Sequence, residues 1–264
     1  MYVSVRVIRV RVPQGRREEF FDKVALEKVL DVFINKAYYA TFLLSPAMER
    51  EFVVGHLYSE GLINSLEDVS SLKIQQNVAD VEVPSLRLSP NAMRHGLVPL
   101  SCLVGGGKHA PASRLSLKIE SNVKISAEVI LTAFRMLHKR MPTFAATGCT
   151  HGAALLSEKG EVLCIAEDLG RHNAVDKAIG FALLNGVDVK RCILLLTGRE
   201  TPQVVLKAAR AGVPVVCSLS APTLGAIKLA RAVGITLVGF VRGSRLNIYS
   251  HPDRIVLGDQ AMLC

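Results

Sequence analysis

Between Gly170 and Val241 the chain alternates helix-like and strand-like stretches with a regularity that leaves few folds open. RHNAVDKAIGFALLNG leads into RCILLLTG, PQVVLKAARAG into PVVCSLS, and PTLGAIKLARAVG into ITLVGFV. Strands separated by helices of this length run in one direction and are joined by right-handed crossovers. The pattern predicts an α/β module with a largely parallel sheet and helices on both faces. Such sheets bind ligands beyond the carboxyl ends of their strands.

The preceding residues read differently. Val3 to Val12 alternates apolar and polar residues with a phase slip between Val7 and Ile8, which predicts a strand carrying a bulge. DVFIN and AYYATFLL flank Asn35-Lys36, a hairpin signal because Asn tolerates positive φ. Ser45-Pro46 is expected to cap a helix that runs to Glu60 and stops at Gly61. Residues 69–90 supply two more short strands. The first part is therefore a smaller α+β module, and we place the boundary after residue 112, giving domains 1–112 and 113–264. Within the second, Ser126 caps a helix with Ile130, Phe134 and Leu137 at helical spacing. HGAALLS and EVLCIAED then form a hairpin around Lys159-Gly160.

Composition narrows the function. A net charge of +9 favours an anionic partner. With no Trp and 5% aromatic residues, the stacking platforms of a single-strand nucleic-acid binder are not evident, so no nucleic acid is expected. The opening MYVSVRVIRVRVPQ alternates Arg with Val where a signal peptide needs a continuous apolar block, and no long uncharged apolar run follows. A soluble, cytoplasmic protein with no membrane association is expected. Cys164, Cys192 and Cys217 lie in apolar runs as small hydrophobes, and no C-x-x-C pair exists to hold a structural zinc.

Polar groups gather where the predicted strands end: Asp168, Gly170, Arg171 and His172; Thr197, Gly198 and Arg199; Ser220; Arg242 and Arg245. Thr201-Pro202 and Ser220-Ala221-Pro222 resemble helix starts, whose free N–H groups bind anions. Together they predict a phosphate site. The element order also matches zinc nucleoside deaminases, whose signature is H-x-E followed by P-C-x-x-C. Here His172-Asn173-Ala174 has Ala in place of the proton-shuttling Glu, and Pro202 is followed by Gln203, Val204 and Val205 with no thiol. Neither a zinc ion nor its acid/base can be held that way. A different chemistry is suggested by PLSCLVGGGKHAP, where Cys102 precedes three glycines, Lys108 and His109. Glycine runs predict a mobile loop, and a nearby cation favours the thiolate.

TGCTHGAALL, EDLGRHNAVDKAIG, LLLTGRETPQVVLKAARAGVPVV, SAPTLGAIKLA and LVGFVRGSRLNIY, with EFVVGHLYSEGLI nearer the amino terminus, together resemble the FdhD family of sulfur carriers serving formate dehydrogenases. The resemblance implies a C-terminal cytidine-deaminase-like three-layer αβα domain without deaminase activity, in a homodimer. It implies a sulfurtransferase-type carrier that accepts sulfane sulfur from a cysteine desulfurase as a persulfide on Cys102. That sulfur passes to the molybdenum or tungsten bis-pterin guanine dinucleotide cofactor before insertion into formate dehydrogenase. The family's cofactor segment corresponds to Phe240, Val241, Arg242, Gly243, Ser244 and Arg245; a guanine nucleotide such as GDP suits the same place. Arg171, His172 and Arg199 are our extension of that pocket.

The family's loop reads C-x-x-C-G, and here Gly105 stands at the second cysteine. Delivering neutral sulfur as sulfide takes two electrons, which a dithiol supplies by closing a disulfide. Without the pair, an external reductant or the metal centre supplies them. Two alternatives stay open: Cys149 as a substitute thiol, and a chaperone that holds the cofactor without sulfur chemistry.

Overall fold

A computed structural model describes residues 1–86, the backbone of 97–98, and 117–258. The chain opens with a two-stranded antiparallel ribbon, β1 (Tyr2–Arg11) and β2 (Arg16–Ala25). A second sheet holds β3 (Lys28–Ile34), β4 (Ala37–Leu44), β5 (Ser71–Gln75), β6 (Val78–Glu82) and β7 (Leu97–Val98) in the order β5-β6-β3-β4-β7. The β3–β4 turn is made by Asn35 and Lys36 at φ 51° and 66°, the left-handed pair such a hairpin requires. Helix α1 (Glu49–Ser59) lays Phe52, Val53 and Leu57 on this sheet, against Leu30, Val32, Ile34 and Phe42.

The short strand β8 (Ile125–Ser126) leads into α2 (Ala127–Lys139), where the Ser126 hydroxyl accepts the Glu128 N–H at 3.1 Å. The short helix α3 (Pro142–Thr147) follows. The large sheet has the order β10-β9-β11-β12-β13-β14. Its strands are β9 (His151–Ser157), β10 (Val162–Asp168), β11 (Cys192–Leu196), β12 (Val215–Ser218), β13 (Thr236–Arg242) and β14 (Arg245–Ser250). Helices α4 (Arg171–Leu184), α5 (Pro202–Ala211) and α6 (Leu224–Val233) cover one face and α2 the other; β15 (Ile255–Val256) pairs with β8. Alternation along β11 sorts the core: Leu194 and Leu196 face α4 and α5, and Ile193 and Leu195 face α2.

Several expectations need correction. The large sheet is mixed, not largely parallel: only β11–β12 and β12–β13 pair in parallel. β9–β10 and β13–β14 are joined by short turns that can only reverse the chain. β14 was not anticipated. The first strand has no bulge, since its register with β2 runs unbroken from Tyr2↔Ala25 to Arg11↔Arg16. Its phase slip reflects apolar residues on both faces of a ribbon. Ser45 does not cap α1, which begins after Met48 in the left-handed conformation. Instead the Ser45 N–H donates to Asp168 Oδ2 at 2.9 Å and its hydroxyl accepts the Leu169 N–H, a tertiary demand that overrides the local signal. Helix α6 likewise starts at Leu224, capped by Thr223 and not by Ser220. The boundary placed after residue 112 lies outside the described residues.

The two modules are clamped through α1. Gly55 and Gly180 let α1 and α4 cross backbone to backbone: a Cβ on Gly55 would stand 1.8 Å from the Asp176 carbonyl oxygen, and one on Gly180 1.8 Å from that of Glu51. Beside this crossing, Lys207 Nζ donates to Asp176 at 2.8 and 2.9 Å, to Ser59 at 2.8 Å and to Glu60 at 3.1 Å. His56 Nδ1 lies 3.2 Å from Asp176 Oδ2. Burial alone would raise the Asp176 carboxyl, but Lys207 and His56 outweigh it and hold the carboxyl below its ordinary range.

Candidate functional site

A cavity of about 430 Å³ opens where the strands of the large sheet reach one edge. It is lined by His138, Met141, Phe144, Gly148, Cys149, Thr150, His151, Thr197, Leu219 and Arg242, with no acidic side chain among them. Each wall follows from the topology. β11 ends just before Thr197, β12 just before Leu219 and β13 at Arg242, while β9 begins at His151, its register partner being Asp168 at the end of β10. The reversal of β9 and β10 thus brings a histidine to the edge where the parallel strands finish.

Arg242 is set by its neighbours. Its Nε–H donates to the Leu219 carbonyl at 2.9 Å, and its guanidinium stands 5.8 Å from the Phe240 ring centroid. Phe240 takes φ 52° and its N–H donates to the Ser220 carbonyl. One edge of the guanidinium is engaged in this way, and Arg242 is among the residues that line the cavity. Val241 is buried in the α2-side core. Gly243, Ser244 and Arg245 are exposed at the β13–β14 turn and do not line the cavity.

Arg171 and Arg199 stand next to this cavity. A Cβ on Gly198 would lie 3.0 Å from Arg171 Cβ and 3.4 Å from His151 Nδ1, so Arg171 and His151 flank the same glycine. Burial lowers the pKa of His151, and the charges of Arg171 and Arg199 lower it further against the opposing pull of Asp168. His172 is buried at the start of α4 with Nε2 3.4 Å from the Thr201 hydroxyl, which links the first turns of α4 and α5. Burial, aided by Arg171 and Lys207, lowers its pKa to about 4, so it is neutral at pH 7. An edge with two neutral imidazoles and three guanidiniums suits an anionic ligand.

Two buried carboxylates hold the walls. Glu167 accepts the Thr143 and Phe144 N–H groups at 3.1 and 2.8 Å and the Thr150 hydroxyl at 3.1 Å, fixing α3 and the turn that carries Cys149. Asp168 accepts from Ser45, Gly170 and Asn173 and pairs with Lys177 Nζ at 2.6 Å, fixing the start of α4. His138, stacked edge-on against Phe144 at 5.2 Å, and His151 were not anticipated as site residues. The hairpin register, which sets His151 beside Asp168, was the available signal. Cys149 is exposed on the cavity wall, and Cys164 and Cys192 are buried with thiols pushed up by burial to about 12 and about 11. Cys102, Gly105 and Cys264 lie outside the described residues.

The model of the FdhD/NarQ family matches residues 25–256. The sulfur carrier protein FdhD of Sulfolobus acidocaldarius is 37% identical over 260 residues, covering 97% of this chain and 100% of the relative. The Thermoplasma acidophilum protein of the same name is 40% identical over 219 residues, 80% of this chain and 77% of its own. Among solved structures, a formate dehydrogenase accessory protein from Desulfotalea psychrophila superposes with a TM-score of 0.80 at 27% identity, covering 97% of this chain and 99% of that one. A family match across most of the chain, full-length relatives and a shared fold agree, and the chain belongs to the FdhD/NarQ family.

Proposed function

We propose that this chain is a cytoplasmic, homodimeric sulfur carrier for formate dehydrogenase. It accepts sulfane sulfur from a cysteine desulfurase as a persulfide on Cys102. It passes that sulfur to a molybdenum or tungsten bis-pterin guanine dinucleotide, which it holds as cargo. The observation that carries this reading is the acid-free cavity at the sheet edge with the Leu219-anchored Arg242 at its rim. Its volume is in the range of small-molecule sites, and its donors suit phosphate and a polar base edge. Arg171 and Arg199 add positive charge beside it. The outer sulfur of the Cys102 persulfide is the one transferred: its S–S bond breaks, Cys102 returns to the thiolate, the arginines hold the cargo, and the two electrons that convert sulfane sulfur to sulfide come from an external reductant or the metal centre.

The large domain is proposed to share the cytidine-deaminase-like arrangement but not its reaction. Ala174 has no carboxylate to move a proton, and Gln203, Val204 and Val205 offer no thiolate at the start of α5.

The test is intact-protein mass spectrometry after incubation with a desulfurase and cysteine. One sulfur atom should be added to the peptide containing Cys102, be removed by thiol reductant, and be missing from Cys102→Ala, which should leave formate dehydrogenase inactive. In a second arm, Arg242→Ala should weaken GDP binding by roughly tenfold or more, the loss of a charge-assisted contact. Unloaded protein, or an active enzyme from the Cys102 variant, defeats the sulfur carrier; binding that survives alone leaves a cofactor chaperone.

A further inference from the structure

β1 and β2 pair only with each other, and β2 has an outer edge with no strand partner among the described residues. An isolated two-stranded ribbon is marginal in water and a free edge invites another strand. One face, with Val7, Glu18 and Phe20 half-buried, lies toward α3. The other carries Ile8 and Phe21 at 62% and 72% exposure, beside the Arg6–Glu19 ion pair.

We infer that this ribbon is a self-association arm, in which the outer edge of β2 pairs antiparallel with β2 of a second copy about a twofold axis at Phe21. The inference deepens the homodimer of the proposed function and rests on it. The charge pattern selects both partner and register. In a twofold antiparallel pair, residues opposite one another share a face, so each candidate axis fixes every pairing. About Phe21, Glu19 faces the second copy's Lys23 twice, Arg17 faces Ala25, Glu18 faces Val24, and the two Phe21 rings meet on the uncovered face. An axis at Phe20 sets Arg17 against Lys23 and Glu18 against Asp22. Axes at Glu18, Glu19, Asp22 or Lys23 set a charge against itself. Among residues 18–23, Phe21 alone gives a pairing free of like charges, and opposite charges across strands stabilise while like charges repel. β1 offers no such match to its own copy, because its only charges are Arg6, Arg9 and Arg11. A self-complementary pattern of this kind fits a copy of this chain, as a twofold interface requires.

The test uses the full chain and sedimentation velocity. The native protein should sediment as a dimer. Lys23→Glu and Glu19→Lys each set like charges opposite and should weaken association about tenfold. An equimolar mixture of the two variants restores both opposite-charge pairs and should recover the dimer. Paired Cα atoms in such a sheet lie about 5 Å apart, within disulfide reach. Phe21→Cys should therefore form a 21–21 disulfide under mild oxidation, identified by peptide mapping. A monomeric native chain overturns both the arm and the homodimer. A dimer that both charge variants leave intact, or a mixture that stays monomeric, overturns the arm and leaves the homodimer standing. Sulfur loading of Cys102, measured on the same variants, reports on the carrier reading separately.

Discussion

At the level of single residues, His172 joins sequence to electrostatics most directly. It sits where a deaminase would place a metal ligand, yet its ring is buried beside Thr201, and that burial, aided by the charges of Arg171 and Lys207, keeps it neutral. Its folded pKa of about 4 lies below the ordinary value of 6.5, so the unfolded chain binds the proton first. The stability tied to this group is complete above pH 6.5, declines as pH falls and is spent below about 4, a swing on the order of 3 kcal/mol. His172→Gln keeps a hydrogen-bonding group without the titration. Urea melts between pH 7 and 4 should fall off less steeply in this variant than in the native protein, and equal slopes would contradict the assignment.

At the level of elements, the crossing of α1 and α4 is the contact least tolerant of change. A methyl group on Gly180 would collide with the backbone of α1, where no side chain can move aside. Gly180→Ala should cost about 3 kcal/mol, read as a lower urea midpoint at unchanged slope. How far such elements could be read from sequence depended on where their determinants lie. Ser126, Asn35-Lys36 and the helix-strand repeat after Gly170 were legible because capping, turn geometry and periodicity are local. The start of α1 was not, because Ser45 answers to Asp168, more than a hundred positions away in the chain. The direction of β14 was hidden for a related reason: Gly243-Ser244 falls in the family's cofactor segment and is also the reversal of a hairpin. Of the site, the arginines at strand ends could be found from the alternation alone, whereas His138 and Met141 reach the cavity through the packing of α2 and the turn into α3, which leaves no periodic trace.

For the whole molecule, the buried cluster of Lys207, Asp176, His56, Ser59 and Glu60 joins the modules through charge as well as shape. Removing one member strands the other's charge in the interior, so Lys207→Met should lower stability by about 3–5 kcal/mol near pH 7. Asp176 is held below its ordinary range, so its contribution exists above the unfolded carboxyl's pKa and vanishes as pH falls through the folded one. The deficit of the variant should therefore shrink on acidification, and calorimetry at two pH values would reveal a constant deficit if the pair were not the cause. The shared helix also decides what kind of motion remains. With two backbones in van der Waals contact and an ionic knot beside them, the halves cannot swing like jaws around a guest. Loaded and empty forms should scatter X-rays with the same profile, the behaviour of a stiff tray and not of a clasp.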